Sequence, residues 1–214
     1  MSTAPFPRSL WHAIVRGYLR LIEPLIDWCV RHRVSPNTLT VLGTLMCVIV
    51  AAMFAAGWIV AAGWTLGLTA FFDVIDGAVA RRSGTATLFG AFFDSTLDRV
   101  ADAFLFGGLA WFFAAPGPYQ SMWMVAVALV AVSAVQITSY TRAKADALGV
   151  DLKGVGALER PERITILAAP QAFFGLALNG WVLRSVVILL ALSAVVTVVQ
   201  RVRAVAVATR GRTG

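Results

Sequence analysis

The sequence predicts an all-α integral membrane protein with six transmembrane helices preceded by an amphipathic interfacial helix. Hydrophobic residues make up 59% of its 214 residues and charged residues only 14%. The mean hydropathy is +0.79, as befits a chain whose main solvent is lipid. That length holds roughly six spans of about 20 residues each. Little remains for a separate soluble domain, so residues 1–214 read as a single membrane domain. Lys and Arg fall mainly at the ends of the apolar segments, where headgroups can solvate them.

From about Leu10 to Arg33, apolar positions recur at helical spacing, interrupted by Arg16, Arg20, Glu23, Asp27 and Arg31. This pattern suits a helix lying in the membrane interface, with Pro24 as its point of kinking. The six-helix bundle then occupies about residues 38–202. Its first span follows Pro36 and Asn37, running uncharged from about Thr38 to Ala56, and Gly57 and Trp58 mark the far end. A second span runs from about Ile59 to Arg81 and a third from about Ala86 to Ala114, joined through Arg82, Ser83 and Gly84. The uncharged turn at Pro116, Gly117 and Pro118 leads to a fourth, from about Met122 to Ala143. After a polar loop containing Lys144, Asp146, Lys153, Glu159 and Arg163, the last two run from about Ile164 to Leu178 and from about Val182 to Val202.

Basic residues in short flanking loops stay on the cytoplasmic side. Arg8 through Arg33, Arg81 and Arg82, Arg142 through Arg163, and Arg201 through Arg212 all fall on one side of this path, and Arg184 alone falls opposite. The expected location is the cell (inner) membrane, crossed several times, with both termini cytoplasmic. His12, Arg16 and Arg20 interrupt the first apolar residues, so a cleaved signal is not expected. The net charge of +7 and pI near 10.4 suit anionic headgroups; no nucleic-acid partner is expected. Cys29 and Cys47 lack CxxC or CxxH context and read as apolar filler.

The second and third spans carry carboxylates, which are rare and costly in a membrane segment. If the two form an antiparallel hairpin turning near Ser83, Asp73 and Asp94 each stand about ten residues from the turn, at a common depth of roughly 15 Å. Asp73 and Asp76 are three apart and Asp94 and Asp98 four apart, so each pair shares a helix face and the four can converge. Converging carboxylates repel unless a cation compensates them, and hard oxygen donors at this density suit Mg²⁺ or Mn²⁺, with room for two ions. Gly77, Ala80 and Gly90 keep the neighbouring faces small, and Arg81 is placed to reach a phosphate. The plain alternative is internal neutralisation of the acids by Arg81, Arg82 and Arg99. Arg99 and Asp102, three apart, read as a structural pair.

The string DVIDGAVARRSGTATLFGAFFDSTLD, Asp73 to Asp98, resembles the CDP-alcohol phosphotransferase signature D-x2-D-G-x2-A-R-x8-G-x3-D-x3-D at every fixed position. That family has six transmembrane helices after an interfacial helix, matching the reading above. The resemblance implies that Asp73, Asp76, Asp94 and Asp98 hold two divalent ions against the diphosphate of CDP-diacylglycerol, with Asp98 also the general base. It assigns Gly77, Arg81 and Thr87 to the nucleotide and diphosphate. By the same resemblance, Asn37, Thr38, Leu39 and Thr40 in SPNTLT line the nucleotide site, although Pro36 and Asn37 also read as a helix start. A homodimer is implied too.

The acceptor lies outside the shared signature. SYTRAKADALG followed by GALERPERITI resembles prokaryotic phosphatidylinositol-phosphate synthases, with the order of Arg142 and Lys144 reversed. The resemblance implies an inositol phosphate acceptor held by Arg142, Lys144, Arg160 and Arg201. Glycerol 3-phosphate is the competing acceptor. The same basic residues also satisfy the positive-inside rule, and ERPER suits a helix start. Arg142 and Lys144, two apart, cannot both face inward on one helix. A cation-coupled transporter is the alternative of another class, since intramembrane carboxylates serve transport as well; it calls for acids at the membrane midplane between broken helices.

Overall fold

The computed structural model describes residues 23–210, apart from the side chains of residues 70–74. The expected interfacial helix lies outside this range before residue 23; within it, 23–31 is helical and is termed α1. Six helices follow: α2 (Pro36–Ala55), α3 (Ile59–Arg82), α4 (Leu88–Ala114), α5 (Met122–Ala147), α6 (Arg160–Phe174) and α7 (Trp181–Ala208). Among the described residues there is no strand. Pro36 stands in the first turn of α2, where its missing N–H costs nothing. Thr87 caps α4 by accepting the Gly90 N–H at 2.9 Å. Pro161 opens α6, and the Glu162 carboxylate accepts the Glu159 N–H at 2.8 Å, so ERPER does start a helix.

α2, α5 and α7 are long and apolar enough to cross a membrane, and α3 contributes a shorter apolar stretch, Ile59–Thr69. Outward-facing side chains such as Leu45, Leu129, Leu192 and Val199 are exposed, as expected where lipid is the solvent. Trp58, Trp111, Trp123 and Trp181 are exposed at one end of the helices, in the manner of an interfacial aromatic belt. The protein is a membrane protein.

The six long helices close a ring in the order α2, α3, α6, α7, α5, α4, each packed on two neighbours. This corrects the expected hairpin. Among the described residues α3 and α4 do not pack on each other; each lies against α2. Two glycines fix the spacing. A Cβ at Gly108 would stand 2.2 Å from the Ala51 carbonyl oxygen, and one at Gly63 would stand 2.3 Å from the Ala172 nitrogen. Backbone therefore meets backbone where α4 crosses α2 and where α3 crosses α6. With α3 and α4 each drawn onto α2, Asp76 and Asp94 border one cavity at that end of the ring.

Gly108→Ala should force α2 and α4 apart and destabilise the bundle by roughly 1–3 kcal/mol, read as a lower thermal midpoint of the detergent-solubilised protein. Gly107→Ala is the control: a Cβ there meets nothing within 4 Å, so its midpoint should not fall.

Candidate active site

Two cavities open at the end of the ring opposite the tryptophans. The smaller, about 190 Å³, is lined by Asn37 and Thr40 of α2, Asp76, Gly77 and Arg81 of α3, Thr87 of the connecting loop, and Gly90 and Asp94 of α4. Asp76 is buried and accepts the Thr40 hydroxyl at 2.8 Å, tying α3 to α2. The Arg81 guanidinium lies over Gly77, where a Cβ would come within 3.2 Å of Nη1. A Cβ at Gly90 would come within 3.1 Å of the Thr87 hydroxyl and 3.5 Å of Asn37 Oδ1. The glycines and Ala80 thus line the cavity wall.

Thr38 and Leu39 do not join them. Thr38 is exposed, and Leu39 is buried among Ile26, Cys29, Ile75 and Val79. Helical spacing explains the split: positions 36, 37 and 40 share one face of α2, from which 38 and 39 turn away.

The larger cavity, about 700 Å³, is lined by Asp98 and Arg99 of α4, Ser139 and Arg142 of α5, Arg160 and Arg163 of α6, and Arg201 of α7. Lys144, expected with them, is exposed and does not line it; two residues along a helix from Arg142, it faces elsewhere. Arg201 is fixed by donating from Nε to the Val155 carbonyl at 3.0 Å and from Nη1 to the Thr138 carbonyl. Arg160 Nη1 lies 2.9 Å from Asp98 Oδ1.

Asp94 borders the first cavity and Asp98, one helical turn on, borders the second. One turn of α4 separates the two spaces. Asp76, Asp94 and Asp98 offer only carboxylate oxygens, a donor set that fits hard divalent cations. Among the described residues no three such groups already form a metal cluster; the Asp73 side chain lies outside the description.

Neutralisation by arginine takes a different form from the one considered in the sequence. Arg82 pairs with Glu23 at 3.1 Å and Asp27 at 2.8 Å, both on α1. Arg99 does reach Asp102, at 3.5 Å, and lies 3.9 Å from Asp98. Sequence reasoning missed Arg163, Gln136 and Ser139 as cavity residues, and Arg99 as more than a structural partner. Helix arithmetic held part of the signal: Arg163 follows Arg160 by three positions on one face of α6.

The family model for CDP-alcohol phosphatidyltransferase matches residues 33–206. Phosphatidylinositol phosphate synthase of Mycobacteroides abscessus is 39% identical over 189 residues, covering 88% of this chain and 84% of that protein. The crystal structure of Mycobacterium tuberculosis phosphatidylinositol phosphate synthase (PgsA1) with CDP-DAG bound matches with a TM-score of 0.78 at 33% identity, over 87% of this chain and 94% of that one. The same enzyme in complex with manganese and citrate matches with a TM-score of 0.76 at 34% identity, over 85% of this chain and 87% of that one. The matched stretch contains both cavities and the whole acidic motif, and the chain belongs to the CDP-alcohol phosphatidyltransferase family.

Proposed function

We propose that this protein transfers the phosphatidyl group of CDP-diacylglycerol to a hydroxyl of an inositol phosphate, releasing CMP, in phospholipid synthesis. One observation carries the proposal: a single turn of α4 presents Asp94 to a cavity lined by the nucleotide-side motif residues and Asp98 to an arginine-lined cavity. The donor lipid's nucleotide and diphosphate occupy the first and the anionic acceptor the second. Their reacting atoms then meet beside Asp98. The acceptor hydroxyl oxygen bonds to the phosphatidyl phosphorus, the bond from that phosphorus to the CMP oxygen breaks, and the hydroxyl proton passes to the Asp98 carboxylate. Two divalent ions, Mg²⁺ or Mn²⁺, held by Asp73, Asp76, Asp94 and Asp98, supply charge neutralisation at the diphosphate. Relatives named for phosphatidylinositol phosphate synthesis and the manganese-containing neighbour support the acceptor and the metal.

Arg142, Arg160, Arg163 and Arg201 give the second cavity the multi-donor cations that suit a phosphate monoester. Arg81 over Gly77 suits the diphosphate. All these groups cluster at one end of the helices, whereas transport favours midplane sites between broken helices. The chain is one domain of six spans in the cell membrane, with its termini cytoplasmic, and acts as a homodimer. A cysteine at Thr209 should react with impermeant reagent only from the cytoplasmic face, and the mass of the solubilised protein checks the dimer.

The test is CMP release by purified protein from CDP-diacylglycerol and Mg²⁺. Release is expected with inositol 1-phosphate and should stop in EDTA; release only with glycerol 3-phosphate would keep the chemistry and reassign the acceptor. Asp98→Asn should lower kcat by about 10²–10⁴-fold while CDP-lipid binding persists, and near-normal turnover would refute the base assignment. Arg160→Ala should mainly raise KM for the acceptor.

A further inference from the structure

Asp94, Asp98 and Asp102 follow one face of α4 at four-residue steps, from the small cavity, past the large one, into the protein interior. Asp102 is 3% exposed and does not line the large cavity. A carboxylate this deep is costly unless cations compensate it. Three do. Arg99 Nη2 lies 3.5 Å from it, Arg163 Nη2 3.6 Å and Arg160 Nε 3.8 Å. These are contacts of charge rather than hydrogen bonds, and Asp102 Oδ2 accepts none. Arg99 also reaches α5, donating to the Ser139 hydroxyl, while Gln136 Nε2 donates to the Arg99 carbonyl at 2.9 Å. Asp102 therefore sits where side chains of α4, α5 and α6 converge, and all three of its arginines line the large cavity from which it is itself hidden.

Stability gives no reason for a carboxylate at this point, because apolar replacements of buried ionic clusters are often neutral or better. Its geometry gives a reason. Three guanidiniums packed together repel one another; a negative charge behind them holds them in place beside the cavity that all three residues line. Five arginines line the cavity, at 99, 142, 160, 163 and 201, against Asp98, Asp146 and Glu159, so even with Asp102 behind them the wall keeps a positive surplus. We infer that Asp102 is a positioning residue for acceptor recognition: it orders Arg99, Arg160 and Arg163 so that together they grip the acceptor's phosphate group. The inference rests on the transferase function proposed above. Without that charge the guanidiniums turn toward Asp98, Asp146 and Glu159, the carboxylates lining the same cavity, and the grip loosens.

The test compares the wild type with Asp102→Asn and Asp102→Glu. Asp102→Asn should raise KM for inositol 1-phosphate about tenfold while kcat and KM for CDP-diacylglycerol stay within about threefold, and Asp102→Glu should recover part of the loss. In a second readout, inorganic phosphate should raise the thermal midpoint of the wild type by mass action, and Asp102→Asn should lose that shift. A fall in kcat at unchanged acceptor KM, or a phosphate shift equal to that of the wild type, overturns the inference. If Asp102→Asn does not fold, Arg163→Gln should show the same rise in acceptor KM and loss of phosphate shift, and wild-type values there also overturn it. Absence of CMP release by the wild type with any acceptor would count against the transferase function, and the phosphate shift would still decide the role of Asp102.

Discussion

Everything on α4 stands where it does because its backbone lies directly against α2. The Ala51 carbonyl leaves no room for a Cβ at residue 108, so the crossing is set by main chain rather than by adjustable side chains. The hydrogen bond from Thr40 to Asp76 ties α3 to the same helix. With α2 holding both acid-bearing helices, Asp76 of one and Asp94 of the other border the same small cavity. A tightly packed hairpin would press them together at a cost that the surrounding helices could not relieve.

The division between the two cavities follows from their chemistry. In the smaller cavity the wall is made of small residues, hydroxyls and carboxylates, which admit a polyanion close to backbone and leave oxygen donors for cations. In the larger cavity it carries five arginines, whose planar forks suit phosphate oxygens in a defined orientation. A carboxylate at the border can draw a proton from a hydroxyl presented on the arginine side. Asp98 holds this position, already within 2.9 Å of Arg160, so an arginine of the larger cavity also sets the charge around this carboxylate.

Much of the site was legible because it is written on single helices. Asp94 and Asp98, Gly77 and Arg81, and Asn37 and Thr40 are each separated by one turn or nearly so, and each pair lines the cavities described. Where the stretch 37 to 40 was carried over whole, helical geometry split it and Thr38 and Leu39 turned away; Arg142 and Lys144 parted as their two-residue spacing requires, with Lys144 outside the cavity. Helix boundaries were close, with α2 beginning at Pro36 rather than Thr38 and α6 at Arg160 rather than Ile164. The ring order was not legible. Neighbours in sequence suggest neighbours in space, but α3 and α4 are separated because backbone contacts at Gly63 and Gly108 bind each to a different non-sequential partner. Nothing in a linear pattern reveals which glycine meets which carbonyl. The role of Arg163 was hidden for the same reason, since its partner Asp102 lies on another helix.

The placement of Leu39 connects the site to α1. Arg82 reaches Glu23 and Asp27 through side chains that are each about half exposed, and such pairs contribute only about 0–1 kcal/mol. The apolar cluster of Ile26, Cys29, Leu39, Ile75 and Val79 is nearly closed to solvent, and full burial of a large aliphatic side chain is worth roughly 1.5–3 kcal/mol. The apolar contacts therefore dominate the docking of α1, and the ion pairs set its register. Ile75 and Val79 flank Asp76 and Gly77 on the same turns of α3. Packing α1 and Leu39 against one face of those turns fixes the other face toward the cavity. Leu39, turned away from the small cavity, thus holds that cavity's wall in place from behind.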